Sequence, residues 1–271
     1  MHPSVIKTIS TVAPGMVVSF AYKMLTNPQV KKLRDHETKI LSQAIQEDFP
    51  FKNFSIKLYQ WGQGTKKILL IHGWEGQAGN FADLIEKLLQ EDYTIYAFDG
   101  PSHGYSSSGK TNMFDFTELV GLLIKKFEVK LLVSHSFGGV ATSFALYDNQ
   151  DIQIDKYLML TTPDRFTERI DDVAASIGIT NKVKALLIKK LETATGRDVG
   201  HLNVSDFVKS INVESAMIIH DKDDKVIPIS RSRNVHANWS AAEFLEVSGT
   251  GHFRILRDAS VINSVLDFLN S

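Results

Sequence analysis

Cysteine is absent from the sequence. That excludes a disulfide framework, a thiolate metal site and a cysteine nucleophile together, and it fits the reducing cytoplasm where we expect the chain to work. An excess of either charge is missing too. Lys and Arg number 30 against 31 Asp and Glu, for a formal net charge of -1 and a pI near 6.8. Nothing in that balance points to nucleic acid. The 9 histidines contain no H-x-x-x-H pair, so no metal site is expected. No apolar run is long enough to span a bilayer. Val12 to Leu25 comes nearest, but Pro14, Gly15, Ser19 and Lys23 interrupt it, and no small-x-small cleavage site follows. It is expected to be a helix packed on the outside of the domain.

What is present is ordinary for a globular chain of 271 residues, with 43% hydrophobic and 23% charged residues. This length buries a substantial core in one large α/β domain or two small ones. After a second expected helix from Asn27-Pro28 to Ile45, alternation of apolar and polar residues from Phe54 to Gln60 marks a strand. Apolar runs then mark strands at Lys67 to Ile71, Thr94 to Phe98, Leu131 to Val133, Tyr157 to Leu160, Met217 to Ile219 and Phe244 to Val247. Helical stretches at Asn80 to Gln90, Met113 to Phe127, Val140 to Leu146 and Ala259 to Leu269 alternate with them. Such alternation predicts a mostly parallel central sheet flanked by helices. Between Pro163 and Ser215 the alternation stops, and three helices are expected around Phe166 to Ala175, Val183 to Thr193 and Ser205 to Ile211. The expected organisation is a helical extension over 1–50, a core over 51–162 and 213–271, and a small helical cap over 163–212.

The chemistry centres on Ser134-His135-Ser136-Phe137-Gly138-Gly139, between an apolar strand and a helix. A serine flanked two residues away by small side chains on such a turn is the nucleophile elbow. A serine hydroxyl needs a base, and the base needs a partner that fixes its tautomer. His252, in Gly249-Thr250-Gly251-His252-Phe253 after the last strand, is the candidate base. Asp224 is the preferred acid among Asp221, Asp223 and Asp224, because Val226 and Pro228 pin the loop directly after it; Asp221 and Asp223 are expected to be solvated or turn-capping. Asp164, just after the Tyr157 to Leu160 strand, is the alternative acid. An oxyanion needs donors. The amides of Phe137 and of Trp74, in His72-Gly73-Trp74-Glu75-Gly76, are the candidates, with His72 bracing the loop.

His72-Gly73-Trp74, Asp99 to Ser106, the Ser136 elbow, Asp224-Lys225-Val226-Ile227-Pro228 and Gly251-His252-Phe253 together resemble a serine α/β-hydrolase of the alpha/beta hydrolase fold-1 type. The resemblance covers the chain from about Phe54 onward. It implies an α/β-hydrolase fold with an eight-stranded type of sheet, a helical cap, no cofactor, and hydrolysis of a small-molecule ester. It also implies that His103, in the turn after Asp99, is structural. Monomer and homodimer remain equally open.

One rival motif competes. Gly104-Tyr105-Ser106-Ser107-Ser108-Gly109-Lys110-Thr111 fits the phosphate-binding pattern G-x-x-x-x-G-K-[ST]. Its context is wrong, since Asn112 is placed to cap the next helix and leave Lys110 outside it. A hydrolase-like protein that binds without turnover is the other alternative.

Overall fold

Ile68, Leu69, Leu70 and Ile71 are all shut away from solvent, as an apolar run covered on both faces must be. They belong to β3 (Lys66–Ile71), at the middle of an eight-stranded sheet. The computed structural model describes residues 10–30 and 32–271. The other strands are β1 (Ile45–Phe51), β2 (Phe54–Trp61), β4 (Tyr93–Phe98), β5 (Leu131–His135), β6 (Ile154–Leu160), β7 (Val213–Asp221) and β8 (Ala242–Val247). Their order across the sheet is β1-β2-β4-β3-β5-β6-β7-β8. The β1–β2 and β2–β4 pairs are antiparallel, and every pair from β4 to β8 is parallel.

Parallel neighbours need crossovers, and the helices that make them cover both faces. The helices are α1 (Pro14–Thr26), α2 (Asp35–Ser42), α3 (Ala82–Leu88), α4 (Met113–Phe127), α5 (Phe137–Asp148), α6 (Phe166–Ile177), α7 (Asn181–Thr195), α8 (Val204–Phe207), α9 (Ile229–Ala237), α10 (Gly251–Arg254) and α11 (Ala259–Asn270). On one face, Phe116 and Leu123 of α4 and Phe144 of α5 share a core with Val17, Val18 and Ala21 of α1. On the other, Leu84 of α3 and Val265 of α11 pack with Ile40 and Leu41 of α2. Local chemistry sets the boundaries. Asn112 Oδ1 accepts the Phe114 and Asp115 amides and so starts α4.

One expectation needs correction. The helix expected to reach Ile45 ends at Ser42, and the residues after it enter β1, so the sheet begins inside the stretch assigned to the helical extension. Ile45, expected at the end of that helix, is instead exposed in β1. Residues 1–9 of that extension lie outside the described residues. The phosphate-loop motif fails its structural condition, as its sequence context indicates: α4 opens at Met113, and exposed Lys110 sits before the cap. Ser102 Oγ accepts the Gly109 amide at 2.7 Å and donates to its carbonyl at 2.5 Å, closing that loop on itself. Among the described residues no helix is long and apolar enough to cross a membrane.

Candidate active site

β5 ends at His135, and α5 begins two residues later at Phe137, so Ser136 alone makes the turn. Its backbone pays with φ 53° and ψ -123°, a left-handed conformation that costs a non-glycine residue on the order of 1–3 kcal/mol. Its amide donates to the Leu160 carbonyl at 2.8 Å and its carbonyl accepts the Gly139 amide at 2.9 Å, which hold the turn. Small neighbours are obligatory. A Cβ on Gly138 would lie 2.5 Å from the Ile71 carbonyl oxygen and 2.7 Å from that of His72. On the other side, Ser134 is fully buried and its hydroxyl bonds Tyr157 Oη at 3.0 Å, so serine is accommodated there by a partner.

Three side chains from three loops meet above this turn. His252 Nε2 lies 3.1 Å from Ser136 Oγ, and His252 Nδ1 lies 2.8 Å from Asp224 Oδ2. An ionised carboxylate only accepts, so Nδ1 carries the proton and Nε2 presents its lone pair to the serine hydroxyl. Asp224 Oδ1 accepts the amides of Val226 and Ile227, at 2.7 and 2.9 Å, which fixes the carboxylate plane. Burial pushes the Asp224 pKa up, but the hydrogen bond and charge of His252 and those two amides outweigh it. The net position is below the ordinary carboxylate value.

Asp164 is not part of this group. It is buried, with Oδ1 accepting the Ser205 amide at 2.8 Å and Oδ2 bonded to Asn234 Nδ2 at 2.5 Å, so it ties α8 to α9. Trp74 and Phe137 line the same cavity as Ser136. A Cβ on Gly73, the residue before Trp74, would sit 3.1 Å from Ser136 Cβ. Among the described residues neither the Trp74 nor the Phe137 amide donates a hydrogen bond. The Trp74 ring stands edge-on to Phe137 and His103 as a packed wall.

Neutral histidines brace these loops. His72 Nδ1–H donates to Gly73 O at 2.7 Å while Nε2 accepts the Gly100 amide at 2.9 Å, and burial holds its pKa well below the ordinary value. His103 Nε2 accepts the Glu75 amide at 3.2 Å, and burial lowers its pKa to about 4.

Two contributors escaped the sequence reading. Asp221 was expected to be solvated or to cap a turn. It does cap one, accepting the Asp223 amide at 2.7 Å, but it is fully buried. Its other oxygen accepts the Thr250 amide, the Thr250 hydroxyl at 2.7 Å and the Gly251 amide at 2.6 Å, so it clamps the loop carrying His252. His135 Nε2–H donates to the His252 carbonyl at 2.9 Å from below. Neither role has a local sequence signature, because the partners that hold the His252 loop lie far along the chain and are mostly main-chain groups.

Two cavities open onto Ser136 and His252. One of about 210 Å³ is lined by Tyr22, Leu25, Met113, Val140, Phe166 and Leu191, and it is the more apolar. Arg231 reaches it already neutralised, its guanidinium paired with Asp172 at 2.8 Å and Glu168 at 3.1 Å. The other, of about 280 Å³, is lined by polar groups including Lys32, Arg34, Asn80 and Arg257.

A mostly parallel eight-stranded sheet with a serine on a strained strand-to-helix turn defines an alpha/beta hydrolase. Residues 68–263 match the alpha/beta hydrolase family, and the chain belongs to it. Over 105 residues it is 30% identical to the pimeloyl-[acyl-carrier protein] methyl ester esterase of Xylella fastidiosa (strain M12). That match covers 38% of this chain and 39% of the relative, so it spans about two fifths of the length of the curated protein. Among solved structures, the fold is similar to ferulic-acid-bound Est1E of Butyrivibrio proteoclasticus, with TM-score 0.64 and 16% identity over 82% of this chain and 98% of that one. It is also similar to a structure from a study of carboxylesterases of Nitrososphaera gargenis, with TM-score 0.63 and 16% identity over 83% and 98% of the two chains.

Proposed function

We propose that this protein is a serine esterase, working in the cytoplasm, that cleaves a small or medium acyl ester through an acyl-enzyme intermediate. The observation that carries the proposal is the unbroken hydrogen-bond path from Ser136 Oγ through His252 to Asp224, with contacts of 3.1 and 2.8 Å. His252 takes the serine proton as Ser136 Oγ attacks the ester carbonyl. Asp224 keeps the proton on Nδ1 and offsets the charge of the imidazolium that forms. The Phe137 and Trp74 amides receive the oxyanion, a task for which unengaged backbone donors are suited. His252 then returns the proton to the departing alcohol, and water repeats the sequence on the acyl-serine. No step calls for a cofactor.

The segment 163–212 acts as the cap. Phe166 and Leu191 from it, with Tyr22 and Leu25 from α1, line the apolar cavity that takes the acyl group. The relative from Xylella fastidiosa, a pimeloyl-[acyl-carrier protein] methyl ester esterase, is consistent with an ester substrate.

The test is a p-nitrophenyl ester series run with wild type and Ser136→Ala. Turnover should vanish in the variant while its thermal unfolding is unchanged, and a fluorophosphonate should label Ser136 alone. Labelling that persists in Ser136→Ala would overturn the assignment.

A further inference from the structure

The helices that roof the apolar cavity have an unusual outer side. α1 turns Val17, Val18 and Ala21 into the core and presents Tyr22 and Leu25 to the cavity that reaches Ser136. Its opposite side leaves Met16 70% and Phe20 44% exposed, one helical turn apart, with Val12 82% exposed just ahead of the helix. α7 packs against α1, and Lys190 Nζ lies 4.7 Å from the centre of the Tyr22 ring. On α7, Leu186 is 40% exposed, with exposed Lys182 one turn before it and exposed Lys189 one turn after. The exposed residues of the two helices include Lys23, Lys182, Lys189 and Lys190 and not one Asp or Glu.

Large apolar side chains grouped on an outer surface mark a contact site. A purely acidic protein surface would satisfy the lysines and leave Met16 and Phe20 wet. A bilayer surface rich in anionic lipid satisfies both, because its acyl boundary takes the apolar groups while its headgroups meet the ammonium groups. We infer that the α1–α7 face docks this protein on an anionic lipid surface, lying on the bilayer without spanning it. The inference stands whether or not Ser136 is the nucleophile. If it is, an acyl ester dissolved in the lipid reaches the cavity along the same helix that touches the membrane.

The experiment sediments the full chain with vesicles of phosphatidylcholine alone and of phosphatidylcholine mixed equally with phosphatidylglycerol. The protein should pellet with the mixed vesicles, stay in solution with the neutral ones, and be partly released by high salt. Met16→Asp with Phe20→Asp, and separately Lys182→Glu with Lys189→Glu, should each weaken partitioning about tenfold or more. Far-UV circular dichroism melts checked alongside should match wild type, separating lost docking from lost fold. Because sedimentation needs no turnover, its outcome is independent of the esterase reading. Absence of binding to either vesicle would overturn the inference. So would binding that the lysine pair abolishes and the Met16 and Phe20 pair leaves intact, which is the behaviour of a dock for an acidic protein.

Discussion

Asp221, the last residue of β7, receives both the backbone amide and the hydroxyl of Thr250, two residues before the histidine that faces Ser136. Asp224 orients the imidazole, and Asp221 orients the chain that carries it. An asparagine at 221 keeps the shape but turns an amide donor toward groups that are themselves donors. Asp221→Asn should lower kcat by about 10–100-fold with little change in KM, and destabilise the fold by about 1–3 kcal/mol. Burial raises the Asp221 pKa, but the Thr250 hydroxyl and the surrounding amides bring it below the ordinary carboxylate value. A depressed folded pKa adds stability above about pH 4 that is lost as pH falls through the folded value. Chemical denaturation of the variant should therefore lack part of the wild-type acid loss. An unaltered kcat would remove Asp221 from any positioning role.

Asp224→Asn should cost about 10⁴ in kcat, the scale expected when the group fixing the histidine tautomer is lost. Asp164→Asn should leave kcat within a few fold and act on stability, since its carboxylate holds Ser205 and Asn234 and does not bond His252. Steady-state kinetics of the two variants side by side decide the matter, and the reverse ranking would move the acid to Asp164.

Burial depresses His103 to about 4 and His135 to about 3. In the unfolded chain both titrate near 6.5. As pH falls below that value the unfolded chain gains protons that the folded chain refuses, so stability is complete above about pH 6.5 and declines toward pH 4. Each site adds up to about 1.4 kcal/mol per pH unit to the slope. His103→Gln offers a donor for Pro101 and an acceptor for the Glu75 amide, and it should flatten the decline. Urea unfolding at pH 7 and pH 5 measures it, and equal slopes in both proteins would contradict the account.

On the proposed assignment, the apolar cavity sets the acyl length. Each methylene it buries is worth about 0.8 kcal/mol until the slot is full. Across p-nitrophenyl esters, kcat/KM should rise from acetyl to butyryl or hexanoyl and then fall. Leu25→Trp, which fills space on the cavity wall, should move the optimum to a shorter chain. An optimum that stays put would show that the acyl group lies elsewhere.

The central strands were legible because burial on both faces forces uninterrupted apolar runs such as Ile68 to Ile71. β1 was not, because an edge strand exposed along most of its length needs no apolar residues, and its sequence IQEDFPF carries almost no alternation. α9 was missed for a related reason: ISRSRNVHA has only Ser232 and Val235 buried, too few to show a period. In the site, Ser136, Asp224 and His252 could be nominated from the turns around them, since the chemistry demands those side chains. Asp221 and His135 act mostly on main-chain atoms, and a carbonyl or an amide looks the same at every position of a sequence.

The three residues that meet at the elbow are spread so that Ser136 leaves the ribosome 88 residues before Asp224 and 116 before His252. Chains are made and begin to fold from the N-terminal side. On the proposed assignment, the elbow can form around β3 and β5 while its hydroxyl still has no base to take the proton. A nascent chain therefore carries an inert alcohol, unable to acylate itself on a passing ester. Reactivity switches on only when β7 and β8 add to the far side of the sheet, so order of synthesis serves as a timer on the chemistry.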